Sequence, residues 1–504
     1  VQTLLHLPRS RSITISGLAV LLAALVTSLG TPARATVSPA QAVVDGAATP
    51  EALADLVARR FAAAPPEAFD RVFPFAPGRE FVADASQRNA TRHAGLAKVL
   101  QQDEDEALLL LSGYTTRGHS GVETLLSRAY SDFYRAARRG DRWILTERLP
   151  LDAESRIVTQ QLDVTIVPGK RLEVKDTLVV LVTGSRGFAA RLDHSAEISG
   201  VTVDGRSVEA LFAGGLLWVP MTPDRQATLT VTYHLALPDD PESWLSYALP
   251  NSGFIRDQAL WHPVLNYNTP ADRASFGITA RIPAAFHLST TVMQEEVVDD
   301  GWRVVRARTR ESVAGLSLAY DSEWSPYVIE GDGLRLQAFV AAGFQPNKEQ
   351  LDAVFQRTFQ VLESAFGPPR AGDYFAVVQR RKASSSGWHM LSNAAMITGR
   401  NGGPTTSTAP APRAFVAHEL AHRWTAPTGP GAMLLMEGWA TFAESLVLAD
   451  EFGPEVERAF WQSQRRAYHQ GGFEGTQSIL GDTTNGGIAY SKGAWIFRML
   501  RDDL

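Results

Sequence analysis

The stretch Val416-Ala417-His418-Glu419-Leu420-Ala421-His422-Arg423-Trp424 concentrates the residue types that can hold and use a metal ion. His418 and His422 are four positions apart. In a helix that spacing stacks two imidazoles on one face, where both can reach a single cation. Glu419, between them, is turned slightly off that axis and can hold a water at the metal without taking a coordination position. Ala and Leu fill the stretch, Gly and Pro are absent from it, and Phe415, His418 and His422 recur at helical spacing, so a helix is expected here. The chemistry on offer is hydrolysis by a metal-activated water. Two histidines on one helix face are otherwise common surface residues, so the weight falls on the segments C-terminal to Trp424.

Cysteine is absent, which rules out thiolate zinc sites, disulfides and cysteine nucleophiles and leaves His and carboxylates as the strong metal ligands. Two imidazoles bind zinc weakly until a third protein ligand completes the site. Between Arg423 and Met436 the chain carries Pro427, Gly429, Pro430 and Gly431, so the first helix must end and the chain reverse. A second helix is expected from about Met433. It places Glu437 in its first turn, able to face back toward both histidines, and Glu444 two turns on. Either carboxylate is a candidate ligand; Glu444 reads better as a partner of a ligand or as a solvated residue. Further on, Tyr490 stands at the start of another helix. A phenol there can steady the oxyanion of a tetrahedral intermediate, although a Tyr before a helix more often serves packing.

The elements that must position these groups lie upstream. A chain of 504 residues is too long for one core and implies two to four domains. Hydrophobic and charged contents of 45% and 20% fit an ordinary globular protein, and a net charge of −6 with a pI near 6.0 gives no support for a nucleic-acid partner. Arg9 and Arg11 precede an apolar run, Ile15 to Leu29, that ends in Ala33-Arg34-Ala35, the pattern of an export signal cleaved after Ala35. Residues 1–35 are therefore expected to be removed, leaving a periplasmic or secreted protein with no membrane span, since no other stretch reads as one.

Residues 36–154 read as largely helical. Thr49-Pro50 opens a helix, and a second is expected from Ser120, with Glu123 at capping-box spacing and Val122, Leu125, Leu126, Ala129, Tyr130 and Phe133 as its apolar stripe. The acidic run Asp103 to Glu106 reads as a solvated helix start. From 155 to 330 the period changes to 2, as in Leu229, Val231, Tyr233, Leu235 and Leu237, and turn signals such as Pro168-Gly169 separate the runs, which predicts an antiparallel all-β domain. Residues 331–504 are mixed α/β, with an amphipathic helix from Leu351 to Phe366, strands at Tyr374 to Val378 and Ala394 to Thr398, and a Gly/Pro/Thr-rich loop leading to the metal helix. The remaining histidines (His93, His119, His194, His234, His262, His287, His469) lack ligand spacing.

Together the C-terminal segments resemble the M1 family of zinc aminopeptidases, within the gluzincin group. The resemblance rests on His418-Glu419-Leu420-Ala421-His422-x-Trp424, on Glu437-Gly438-Trp439-Ala440 and on Tyr490-x-Lys492-Gly493-Ala494, in that order. It implies His418, His422 and Glu437 as ligands of one zinc ion, Glu419 as general base and then proton donor, Tyr490 as stabiliser of the oxyanion, and a peptide substrate. It also implies a multidomain α+β fold, with a saddle-like β domain over 155–330 and a thermolysin-like peptidase domain over 331–504. The segment 36–154 lies outside it.

Three departures stand out. Fourteen residues separate His422 from Glu437, fewer than is usual in the family, which a tighter helix–helix turn accommodates. The family's Gly-Ala-Met-Glu-Asn strand aligns with His389-Met390-Leu391-Ser392-Asn393, so Ser392 stands where a glutamate grips the substrate's amino group. A neutral hydroxyl does not replace that charge-assisted contact. Ser392, Asn393 and His389 are thus candidate substrate contacts, and strict aminopeptidase specificity is weakened. The chain also ends inside the helix after Tyr490, where family members generally continue into a helical domain. The reading is a zinc metallopeptidase, an aminopeptidase in the first instance. Its alternatives are a gluzincin that cleaves internally or accepts blocked N-termini, and a non-catalytic binding protein that keeps the fold.

Overall fold

The computed structural model describes residues 46–63, 91–119, 122–153, 155–184, 187–239, 246–265, 272–290, 292–331, 333–341, 348–370, 374–379, 395–398, 409–425, 427, 431–471 and 487–503. The export segment and the Ser392 region lie outside them.

The N-terminal region departs from the helical expectation. Among the described residues only its first α-helix forms: α1 (Pro50–Ala63) begins where expected, with the Thr49 hydroxyl accepting from Ala52 N at 3.1 Å. From Thr91 to Leu149 the described residues form a four-stranded antiparallel meander of β1 (Thr91–Gln102), β2 (Glu106–His119), β3 (Val122–Arg139) and β4 (Arg142–Leu149). The helix expected from Ser120 is therefore a strand from Val122, and the acidic run is the turn between β1 and β2. The physical reason is burial on both faces of the sheet. Leu109, Leu111, Tyr130 and Tyr134 pack under α1 with Phe61, whereas Leu108, Leu110 and Phe133 join the core of the next domain. A strand buried on both sides shows no polar face and no clean alternation, so a 3.6-residue stripe can be drawn through it by accident. Asp132, wholly buried, then joins the two units through charge-assisted contacts with Arg148 and with Arg191 of the next domain, the latter at 3.3 Å.

Alternation is a sound guide over 155–330. An eight-stranded sheet runs Gln294–Asp299, Trp302–Arg308, Ser275–Pro283, Ser155–Val167, Arg171–Val182, Arg225–Ala236, Ala196–Val203, Arg206–Ser207 from edge to edge. Every pairing is antiparallel except that of Ser275–Pro283 with Ser155–Val167, which is parallel and corrects the wholly antiparallel expectation. The chain is out of this sheet between Ala236 and Ser275, long enough to return beside its first strand in either direction. Smaller sheets of three and four strands cover it, and the second (Ser246–Ala248, Ser252–Ile255, Leu318–Asp321, His287–Ser289) meets the C-terminal unit. There Tyr247, Phe254 and Ala319 pack with Phe339, Tyr374, Ala376 and Val378, and Trp324 donates to Gln379 O at 3.2 Å.

Inside the β core, Gln160, Asp176 and His262 form a fully buried polar cluster in which Gln160 Nε2 donates to Asp176 Oδ2. Burial drives the Asp176 carboxyl well above its ordinary 3.8, against the Gln160 hydrogen bond, and pulls His262 down to about 4. The fold thus keeps on Asp176 a proton that the unfolded chain has lost above pH 4. The Asp176 contribution to stability must fall as pH rises from there toward the folded pKa, at up to about 1.4 kcal/mol per pH unit, while His262, held neutral, works the other way between about pH 4 and 6.5. Asp176→Asn has no such proton, and its melting temperature is expected to fall less steeply with pH than that of the unaltered protein between pH 5 and 8. Parallel curves would contradict a protonated Asp176.

The C-terminal unit is a four-stranded sheet ordered Tyr327–Glu330, Arg335–Phe339, Tyr374–Gln379, Ala395–Thr398, with parallel pairings after the first. On it lie α2 (Lys348–Phe366), α3 (Pro410–Ala421), α4 (Ala432–Phe452), α5 (Pro454–Gln470) and α6 (Gly493–Asp503). Gly367 ends α2 at φ +77°, a conformation that favours glycine, as the Gly-Pro-Pro run predicts. Contrary to the sequence reading, α4 is long and apolar enough to cross a membrane, but 67% of that stretch is buried inside the fold. Its apolar surface is used against α3 and α6, in a core that includes Val416, Leu420, Trp439, Phe442 and Phe497.

Candidate metal centre

The site is made by α3 and α4 lying antiparallel. Arg413 at the start of α3 pairs with Glu451 at the end of α4, Nε to Oε2 2.8 Å, while His422 just beyond α3 faces Glu437 near the start of α4. Pro410 and Pro412 sit in the first turn of α3, where missing N–H groups cost nothing. The helix tightens into a 3-10 turn, His422–Trp424, and Trp424 anchors it by donating to Gly367 O at 2.7 Å. Gly431, at φ +81°, turns the chain into α4, which puts Glu437 in the second turn and not the first.

His418 Nε2 stands 3.1 Å from Glu437 Oε2, and His422 Nε2 stands 3.8 Å from the same oxygen. One donor atom from each of the three residues lies within 4.8 Å of the others, and all three residues are buried. Ligands on one tetrahedral zinc at about 2.1 Å are about 3.4 Å apart, so the three donors are spaced to share an ion. Glu444 is not a member of this group. Its Oε1 accepts from His418 Nδ1 at 2.8 Å, which fixes the ring and turns Nε2 toward Glu437. Burial alone would lower the His418 pKa, but the hydrogen bonds to Glu437 and Glu444 carry it well above its usual range. Burial would likewise raise the Glu437 carboxyl, and its contacts with His418 and His422 more than offset that, so it stays ionised. A His, His, carboxylate set in a chain without cysteine suits zinc.

Glu419 is buried, and its Oε2 has no hydrogen-bond partner among the described residues. Burial pushes its carboxyl up to about 8, against the neighbouring His418. A buried carboxylate oxygen left unpaired beside three ligand atoms fits a site completed by a metal and water. Tyr490 lies in a π-helical turn, Gly487–Lys492, that leads into α6. Its ring stacks on that of His418, centroids 5.6 Å apart and 9° from parallel, and its hydroxyl donates to Glu437. Burial and the Glu437 charge raise its pKa, so it stays protonated.

Two contributors had no clear sequence signal. Arg256, buried at the end of strand Ser252–Ile255 in the β domain, acts electrostatically on Glu419. Gly438 and Gly493 let α4 and α6 cross backbone to backbone: a Cβ on Gly438 would lie 2.6 Å from Gly493 Cα. Their only trace in the sequence is a glycine next to Glu437 and another three residues after Tyr490.

Neither a family profile nor a curated protein matches the chain. Solved structures do. The M1 zinc metallopeptidase from Deinococcus radiodurans superposes with a TM-score of 0.55 at 16% identity, over 69% of this chain and 83% of that one. A mutant of that protein bound to a Tyr-Ser-Ala substrate gives 0.54 at 18% identity, with the same coverage. A two-domain M1 zinc metallopeptidase mutant bound to L-arginine gives 0.55 at 17%. At these identities the likeness speaks to architecture: this chain has the fold of the M1 zinc metallopeptidases.

Proposed function

We propose that the chain is a zinc metallopeptidase that acts on peptides from a free amino terminus, after export to the periplasm or beyond the cell. The observation that carries the reading is the meeting of His418, His422 and Glu437 beside the unpaired Glu419 oxygen. His418, His422 and Glu437 would hold one zinc ion. When bound, zinc supplies Lewis acidity, which makes water a competent nucleophile near neutral pH and polarises a carbonyl. Glu419 takes a proton from the attacking water and returns it to the leaving amine. Tyr490 directs its O–H at the oxygen on which negative charge develops. Glu444 keeps the His418 ring oriented through Nδ1. Similar folds hold a Tyr-Ser-Ala substrate, L-arginine or L-tryptophan, which supports a site that admits single residues and short peptides.

The test is hydrolysis of matched free and N-acetylated peptides, with and without a chelator. Cleavage should vanish with chelator, return with added zinc, and be faster for free peptides. Chelator-insensitive cleavage contradicts the metal's role. Equal rates on acetylated peptides would favour a gluzincin indifferent to the amino terminus, the reading to which Ser392 points.

A further inference from the structure

The β domain turns a charged side chain toward the general base. Strand Ser252–Ile255 alternates across the boundary between the two units: Phe254 packs with Phe339 and Tyr374 of the C-terminal unit, and Ile255 turns into the β core. Arg256 continues that extended backbone, at φ −78° and ψ 153°, so its side chain returns to the Phe254 side, where the C-terminal unit lies. Arg256 is buried, and its charge reaches Glu419. The surroundings of Glu419 on α3 and α4 are otherwise unfavourable. Glu437 and Glu444 repel it, and its Oε2 has no hydrogen-bond partner among the described residues. His418 attracts it, but both nitrogens of that ring are engaged, Nε2 by Glu437 at 3.1 Å and Nδ1 by Glu444 at 2.8 Å.

Resting on the peptidase reading, we propose that Arg256 is a positioning residue, whose guanidinium, held by the β domain, orients the Glu419 carboxylate for its proton transfers. A guanidinium keeps its charge at any working pH and so supplies a constant field. In a buried site, away from bulk water, that field is strong enough to select one orientation of a carboxylate. The base is then aligned only while the β domain is docked, through the Phe254 contacts and the bond from Trp324 to Gln379 O.

The experiment is a double-mutant cycle on peptide hydrolysis: Arg256→Gln in the unaltered zinc enzyme and in Glu419→Gln, with zinc content measured on each preparation. Arg256→Gln should lower kcat by about tenfold to a hundredfold, the size of a displaced catalytic group, with KM and zinc content nearly unchanged. In Glu419→Gln the same substitution should have little further effect, because no carboxylate is left to orient. Arg256→Lys keeps the charge and should recover most of the loss. If Arg256→Gln does not fold, Arg256→Met, which keeps the apolar stem, takes its place in the cycle. Equal losses in both backgrounds overturn the proposal and make Arg256 structural. A rise in KM alone overturns it by making Arg256 a substrate contact, and a loss in Arg256→Lys as large as in Arg256→Gln contradicts a role for the charge. If the unaltered protein cuts no peptide, the peptidase reading fails first and this role with it.

Discussion

Glu419→Gln is expected to bind zinc as the unaltered protein does and to lose activity by about a hundredfold or more. The side chain stands next to His418 in sequence but is absent from the group of converging ligand atoms, so its amide should leave the ion held. What the amide cannot do is accept a proton from water and return it. The two oxygens of Glu419 are also unequally placed, since Oε2 is buried and has no partner among the described residues. Glutamine fills the same volume, which separates loss of basicity from loss of packing. Zinc content and kcat measured on the same preparation decide the matter. Near-normal kcat removes Glu419 from the proton transfers, and loss of zinc makes it part of the metal-binding set.

Tyr490→Phe should lower kcat by about a hundredfold to a thousandfold with little change in KM, the size expected for one lost oxyanion donor. Phenylalanine keeps the ring that stacks on His418 and loses only the O–H. The position of that ring depends on the glycine crossing of α4 and α6. A Cβ on Gly493 would lie 2.8 Å from Gly438 Cα and 3.0 Å from Leu434 O, and backbone atoms cannot yield as a flexible side chain can. Gly493→Ala should therefore displace the turn carrying Tyr490 and reproduce much of the Tyr490→Phe defect, with the histidines untouched. An unchanged kcat in Tyr490→Phe would assign the tyrosine to packing alone.

Much of this site could be read from the chain because a helix converts spacing into direction. His418 and His422 had to share a face, and the Pro and Gly residues after Arg423 had to reverse the chain toward Glu437. The choice between Glu437 and Glu444 was harder, since two turns of helix put both near the same histidine. Only the folded geometry separates the Nε2 side from the Nδ1 side of His418. In the β domain, period-2 alternation survived because the long strands of the main sheet bury one face. It failed in β3, where Phe133 and Tyr134 are buried on opposite sides and the polar face that would mark a strand is missing. The Gly438–Gly493 crossing and the approach of Arg256 to Glu419 join segments far apart in sequence, and no local pattern encodes such meetings.

Zinc content of the purified protein, set beside that of Glu437→Ala, tests the shared coordination most directly. One zinc per chain is expected in the unaltered protein, with a large loss in the variant after dialysis against a mild chelator, because only His418 and His422 would remain to hold the ion. Equal zinc in both would show that Glu437 is no ligand, and a protein that takes up no zinc at all would contradict the centre itself.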